Sequence, residues 1–263
     1  MQIEKAKILT NAEVAHNIWE MKFEAPLIAK GLKGAGEFLN ILSIERWQNP
    51  LRRPMSIASS NGEILSIIYK IFGEVTTILS NKRTGDYIEL LGPLGNTFTH
   101  WQNGHHPILV GGGVGLAPIL NLQSECKSAK IEHSIIIGAR SSNEHFIGHN
   151  PDQQIYLTTD DGTAGESGTV MGPLERLVKE KANPYIYACG PEPMLESVRD
   201  FSLAQNVPAQ LSVESYMGCG VGFCQGCVIP RVSSQIQDHS YHHKYSLVCL
   251  DGPVYEAKDI QFA

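Results

Sequence analysis

Short segments in which apolar and polar residues alternate make up the first third of the chain. The alternation predicts β-strands at residues 4–10, 18–24, 38–44, 64–71 and 87–91. Turn sequences separate them, namely Asn61-Gly62, Thr84-Gly85-Asp86 and Gly92-Pro93-Leu94-Gly95. Many short strands at this spacing predict an antiparallel β-barrel.

Beyond residue 100 the pattern changes to alternating strands and helices. Continuous apolar runs predict strands at residues 106–110, 134–138, 155–159, 185–189 and 210–213. Between them, the spacing of apolar residues predicts helices at residues 117–128, 174–181 and 192–205. Strands that alternate with helices predict a Rossmann-like α/β domain built on a parallel sheet.

The C-terminal region differs from both the β-rich region and the region of alternating strands and helices. It is rich in glycine and cysteine, then polar over residues 233–243, and apolar again over 245–251. We therefore expect an α+β, multi-domain chain with boundaries near residues 100 and 212. Its parts are a β-barrel over residues 1–100, an α/β domain over 101–212 and a small C-terminal domain over 213–263.

Composition and charge argue against several functional classes. The chain has 263 residues and a formal net charge of −6. This charge argues against nucleic acid as a partner, because phosphate binding needs clustered Lys and Arg. The N-terminus lacks the apolar run of a signal peptide. The most apolar segment, residues 108–122, contains four glycines and a proline, so we expect no membrane association and a cytoplasmic location.

The cysteine spacing is the strongest chemical signal. Three cysteines form the pattern Cys219-x4-Cys224-x2-Cys227, and Cys249 follows. This is the plant-type ferredoxin spacing for a [2Fe–2S] cluster, and the interleaved glycines allow the backbone to wrap a cluster. Two alternatives stay open. One is a zinc site, because His239, His242 and His243 could supply ligands, and the other is a set of buried free thiols. Cys126 is expected to be an ordinary buried thiol.

Two segments of the α/β region suggest nucleotide binding. Residues 111–118, Gly-Gly-Gly-Val-Gly-Leu-Ala-Pro, follow a predicted strand and precede a predicted helix, where a backbone can approach a phosphate. Cys189-Gly190-Pro191 ends a strand of the same sheet, where a nicotinamide can lie. The alternative for residues 111–118 is a tight structural turn, and the alternative for Cys189 is a thiol packed in the interior. Residues 160–163, Asp-Asp-Gly-Thr, fit either a ribose-contacting loop or a turn.

A further candidate lies in the β-rich region. Arg53-Pro54-Met55-Ser56 forms an extended stretch in which an arginine and a serine can face one ligand. The planar guanidinium of Arg53 suits a pyrophosphate, although a solvated surface arginine is the alternative.

The order of these motifs resembles the ferredoxin–NADP reductase superfamily. Within it, the chain is similar to the electron-transfer subunits of NAD-dependent dihydroorotate dehydrogenases. The similarity covers nearly the whole chain and rests on the motifs above, on residues 92–96, on Glu214 with residues 217–224, and on residues 248–254. It implies that the barrel binds FAD, the α/β domain binds NAD⁺ and the C-terminal domain holds a [2Fe–2S] cluster.

The resemblance also implies a role for each motif. FAD would be held by Arg53, Pro54, Met55 and Ser56, lined by Ile68, Tyr69 and Lys70, and contacted on its phosphate side by Val75 and Thr76. The nicotinamide nucleotide would be held by Gly111, Gly112, Gly113, Gly115, Pro118 and Gly190, with Cys189 as the catalytic residue. The cluster ligands would be Cys219, Cys224, Cys227 and Cys249. The chain departs from the family pattern at Val75, where a glycine is usual, and in the long segment between Cys227 and Cys249.

The implied activity is that of an NAD-linked oxidoreductase subunit in pyrimidine biosynthesis. Electrons would pass from the FMN of a dihydroorotate dehydrogenase catalytic subunit through the cluster and FAD to NAD⁺, in an assembly of two copies of each subunit. Two alternatives are a related reductase subunit that couples NAD(P)H to ferredoxin, sulfite reductase or hydrogenase, and a zinc-stabilised binding module without redox chemistry.

Overall fold

The structure is a computed structural model, and it describes residues 1–42, 50–232 and 244–262. Two predictions lie partly or wholly outside the described residues. They are the end of the third predicted strand, at residues 43–44, and the histidines proposed as zinc ligands, His239, His242 and His243.

Six antiparallel strands close into the predicted barrel. They are β1 (Gln2–Ala15), β2 (Ile18–Glu24), β3 (Phe38–Leu42), β4 (Arg53–Asn61), β5 (Ile64–Lys70) and β6 (Tyr87–Leu94). The order around the barrel is β1-β2-β5-β4-β3-β6. Buried and solvent-facing residues alternate along much of β1 and β6, so one face of each strand fills the barrel interior. Phe23, Leu39 and Ile67 are among the fully buried interior residues.

The sequence pattern predicts only five of these strands. It misses β4, because Pro54 and three serines interrupt the alternation of apolar and polar residues there. It also misses two short helices of the barrel, α1 (Pro26–Ala29) and α2 (Glu74–Ser80).

A seven-stranded sheet forms the second part of the fold. Its strands are β7 (His106–Gly112), β8 (Ser134–Ala139), β9 (Ile155–Thr159), β10 (Glu166–Ser167), β11 (Pro184–Cys189), β12 (Ala209–Ser212) and β15 (Val254–Glu256). The order is β10-β9-β8-β7-β11-β12-β15, and every neighbouring pair is parallel except β12 with β15. Nearly continuous burial along β7 and β11 is typical of a parallel sheet covered on both faces.

Three helices cover the sheet, as the apolar spacing predicts. They are α3 (Leu116–Ser128), α4 (Met171–Glu180) and α5 (Glu192–Gln205). The buried residues of α3 pack with one side of the sheet, and those of α4 and α5 pack with the other. The α5 bounds agree with the predicted helix, whereas α4 begins three residues earlier than predicted. These elements confirm the predicted fold class.

The direction of winding changes at β7. The chain moves outward through β8, β9 and β10 and then returns to β11 on the other side of β7. The ends of the two central strands are neighbours, since Gly111 pairs with Cys189. Ligands of open α/β sheets bind outside the carboxyl ends of the strands at such a point. The fold therefore brings the glycine-rich segment next to residues 189–191.

The C-terminal segment packs onto the rest of the molecule. It contains a small antiparallel pair, β13 (Val228–Pro230) with β14 (Tyr245–Leu247), and it supplies β15 to the large sheet. Cys227 and Cys249 are buried in the same core as α5. The proposed boundaries at residues 100 and 212 stay a prediction. No helix in the described part of the chain is long and apolar enough to cross a membrane.

Candidate functional site

A cleft of about 640 Å³ opens at the carboxyl ends of the central strands; we call it the nucleotide cleft. Four of the predicted glycines line it, Gly112, Gly113, Gly115 and Gly190. Gly115 packs so closely against the end of β11 that an added Cβ would lie 2.5 Å from the Gly190 amide nitrogen. Only glycine fits at this contact without a shift of backbone, so the two glycine motifs form one wall of the cleft.

The remaining residues predicted for the nucleotide differ from these four glycines. Gly111, Pro118 and Cys189 do not line the cleft within the described residues. The Cys189 side chain is 1% exposed. Burial raises the pKa of the Cys189 thiol far above its usual value, and the nearby Glu214 carboxyl adds a smaller rise. The thiol is therefore neutral. The catalytic role of Cys189 stays a prediction.

The predicted ribose loop contributes one side chain to the nucleotide cleft. Asp160 lines it, together with Arg140 at the end of β8. Asp161 instead accepts hydrogen bonds from the Thr163 amide and hydroxyl at 3.0 and 2.6 Å, which closes a local turn. Arg140 is a cleft residue that the sequence motifs miss, because it lies outside every glycine-rich or cysteine-rich pattern.

A second cleft, of about 420 Å³, lies on the barrel; we call it the flavin cleft. Seven of its lining residues were predicted from the resemblance: Pro54, Met55, Ser56, Ile68, Tyr69, Lys70 and Thr76. An apolar floor with the Lys70 cation and the hydroxyl-bearing residues Ser56, Thr76 and Ser215 suits an aromatic ring system that carries phosphates. The residues present therefore fit a flavin nucleotide.

Two residues predicted for FAD lie outside the flavin cleft. The Arg53 Nη1 donates a hydrogen bond to the Leu51 carbonyl oxygen at 2.9 Å, and Val75 is buried on α2. Phe72, Val114 and Met217 also line the cleft. Phe72 lies outside every motif, whereas Val114 and Met217 lie within motifs that were not assigned to FAD.

The nucleotide and flavin clefts share a boundary. Lys70, Val114 and Glu214 line both of them. The Lys70 ammonium pairs with the Glu144 carboxylate at 2.6 Å, which links the barrel to the α/β region. Glu214 is accessible to solvent but has protein on several sides, and this partial loss of hydration raises the pKa of its carboxyl. Ligands in the two clefts would therefore meet beside these three residues.

The cysteine loop, residues 218–227, surrounds its sulfur atoms with backbone amides. Cys219 Sγ accepts hydrogen bonds from the amides of Val221, Phe223 and Cys224 at 3.4, 3.2 and 3.3 Å. Cys249 Sγ accepts one from the Gly222 amide at 3.2 Å. Amides aimed at sulfur stabilise thiolate ligands and their negatively charged clusters.

The four sulfurs interact as two pairs. Hydrogen bonds from the Gly226 amide and from Cys219 lower the pKa of Cys224 to about 7, which favours its thiolate. Burial and a hydrogen bond with Cys227 raise the pKa of Cys249 to about 12. In the described ranges no three His, Cys, Asp or Glu side chains converge as they would around one metal ion. Two cysteine pairs with amide donors suit two irons with two thiolates each.

Two family models match the chain. Residues 214–261 match the iron–sulfur cluster binding domain of dihydroorotate dehydrogenase B. Residues 109–200 match an oxidoreductase NAD-binding domain. These matches confirm the predicted iron–sulfur and NAD-binding regions, and they favour an iron–sulfur cluster over the zinc alternative.

Solved structures share the fold. A structure of the NADH-dependent reduced ferredoxin–NADP oxidoreductase superposes with a TM-score of 0.82 at 25% identity, covering 97% of this chain and 89% of that chain. A ferredoxin–NADP⁺ reductase from Neisseria gonorrhoeae, solved with FAD and NADP, is 14% identical with a TM-score of 0.62, covering 78% of this chain and 92% of that one. The second likeness shows the fold alone.

Curated relatives match over nearly their full length. The dihydroorotate dehydrogenase B (NAD(+)) electron transfer subunit of Caldanaerobacter subterraneus subsp. tengcongensis is 36% identical over 262 residues, covering 98% of each chain. The protein of the same description from Bacillus pumilus is 34% identical over 261 residues, covering 96% of each. The chain therefore belongs to the family of dihydroorotate dehydrogenase B (NAD(+)) electron transfer subunits.

Proposed function

We propose that this chain transfers electrons between a partner dihydroorotate dehydrogenase subunit and NAD⁺, using FAD and a [2Fe–2S] cluster. The observation that carries this proposal is the order of the three sites. The flavin cleft shares Lys70, Val114 and Glu214 with the nucleotide cleft, and it is also lined by Met217, which lies two residues before Cys219 and does not line the nucleotide cleft. A flavin bound there would lie between the nicotinamide and the cluster.

That order matches the chemistry of the cofactors. A bound flavin can exchange two electrons with a nicotinamide and single electrons with an iron–sulfur cluster. The chain's own residues bind and orient these groups. Gly112, Gly113 and Gly115 admit the nucleotide close to the backbone, and the apolar side chains of Met55 and Ile68 exclude water from the flavin cleft.

The partner would dock beside the cysteine loop. Three large apolar side chains are exposed there: Tyr216, Phe223 and Leu250, at 97%, 91% and 56%. Exposed apolar and aromatic residues around one loop are typical of interfaces. We propose that this cluster-side patch binds an FMN-containing catalytic subunit, two copies of each chain forming the assembly.

Phe223→Asp is expected to weaken the complex with the catalytic subunit by about tenfold or more, because a charge replaces an exposed aromatic anchor. Titration calorimetry of the two purified subunits measures this. Leu27→Asp, on the barrel and also exposed, serves as the matched control and should leave the affinity unchanged. Iron and flavin contents of each preparation separate lost docking from a lost cluster, and equal affinities for both variants would contradict the proposed patch.

Coexpression with an FMN-bearing dihydroorotate dehydrogenase subunit tests the proposed function. We expect a stable complex that contains FMN, FAD and iron and that forms orotate with NAD⁺ as the electron acceptor. A chain that instead supports only ferredoxin-linked oxidation of NAD(P)H would be the related reductase subunit. That result would contradict the proposal.

A further inference from the structure

Asn40 lies where the barrel meets the cysteine loop. It is on β3, paired with Pro54 of the flavin cleft on one neighbouring strand and with Leu91 on the other. Its side chain is 1% exposed. Asn40 Nδ2 donates a hydrogen bond to the Cys219 carbonyl oxygen at 3.3 Å, so one side chain joins the strand beside the flavin cleft to the first cysteine of the loop.

The contact between Asn40 and the loop is unusually close. Gly220 has φ +70°, and a Cβ at that position would collide with Asn40 Nδ2. Both the backbone angle and the collision exclude a side chain at residue 220. The turn after Cys219 is therefore shaped around the Asn40 amide.

The oxygen of the Asn40 side-chain amide has no hydrogen-bond partner among the described residues. Asn40 Oδ1 is buried and accepts no hydrogen bond from any described residue. A buried acceptor without a donor destabilises the fold, so its presence calls for a compensating role. By contrast, Asn96, which also links the barrel to the C-terminal segment, is fully paired with Asp251 and Val254. A purely structural link at position 40 does not need a free acceptor.

We infer that Asn40 is a positioning residue that sets the electronic environment of the cluster from the flavin side. It holds the Cys219 carbonyl and the turn at Gly220, and this turn directs the amides of Val221, Phe223 and Cys224 to Cys219 Sγ. Hydrogen bonds to cluster sulfurs raise the reduction potential. Loosening the turn therefore lowers the potential of the cluster. This inference rests on the proposed assignment of the cluster ligands.

Two variants with the same number of side-chain heavy atoms as asparagine test the inference. Asn40→Leu removes both polar atoms without opening a cavity, and Asn40→Asp replaces the donor with an oxygen that repels the Cys219 carbonyl. We expect both purified proteins to retain flavin, to give an altered EPR spectrum of the reduced cluster, and to show a more negative midpoint potential. Release of iron to a chelator should be about tenfold faster, as expected for one lost buried hydrogen bond.

Ser66→Ala is the matched control. Its hydroxyl is buried in the barrel and pairs with Ser59 Oγ at 2.7 Å, away from the cysteine loop. It should lower the unfolding temperature but leave the EPR spectrum, midpoint potential and iron release unchanged. If the Asn40 variants behave like Ser66→Ala, the inference is wrong and Asn40 is structural. Wild-type protein without a [2Fe–2S] signal would instead contradict the proposed function.

Discussion

Cys224→Ala is expected to abolish electron transfer to the partner subunit while NADH oxidation by a small artificial acceptor continues. Alanine leaves three cysteines for the cluster, and it removes a sulfur that ionises readily, since the pKa of Cys224 is lowered to about 7. The nucleotide and flavin clefts do not include Cys224, so binding of both nucleotides should persist. We expect partner-linked activity to fall by at least about 100-fold.

The matched control for this variant is Cys126→Ala. Cys126 is buried on α3, and burial with the nearby Glu125 carboxylate raises the pKa of its thiol to about 12. Its loss removes a packed thiol and should affect stability only slightly. Iron content and both activities are measured for each variant. Partner-linked activity that survives in Cys224→Ala would place the electron route away from the cluster.

Gly115→Ala should raise the KM for NADH by roughly 10- to 100-fold and leave the flavin and iron contents unchanged. The added methyl would meet backbone atoms of Cys189 and Gly190 at 2.5 to 2.7 Å, and these atoms cannot move independently of β11. Overpacking of this kind costs about 1–3 kcal/mol, and here the cost falls on the wall of the nucleotide cleft.

Gly172→Ala provides the comparison for Gly115→Ala. Gly172 lies on α4 outside the nucleotide cleft, and an added Cβ there would meet no atom within 4 Å. Steady-state kinetics and thermal unfolding of both variants separate a local change in the cleft from a general loss of stability. An unchanged KM in Gly115→Ala would show that the glycine contact does not shape the nucleotide site.

The pattern of apolar and polar residues was enough to predict most of the barrel, from alternation, and most of the α/β region, from continuous apolar runs and helical spacing. It failed at β4, where serines replace the apolar residues that usually mark a strand, although pairing with β3 and β5 still holds the segment extended. Pairing with neighbouring strands therefore determines the extended conformation of a segment whose local sequence pattern is ambiguous.

Motif spacing pointed to segments that line the two clefts, but it did not show which of their side chains face them. Cys189 and Val75 lie within the motifs, yet packing turns both into the interior. Asn40 was missed because its contact with Cys219 joins residues 179 positions apart, and no local pattern marks it. Glu214 belongs to a motif that supports the family resemblance, but its position at the boundary of the two clefts follows only from the folded chain.

The EPR spectrum of anaerobically purified protein after addition of NADH tests the central claim most directly. We predict a reduced [2Fe–2S] signal of about one spin per chain, together with bound flavin, because the proposed electron route runs from the nicotinamide through the flavin to the cluster held by the four cysteines. A protein with stoichiometric zinc, no flavin and no such signal would contradict this account.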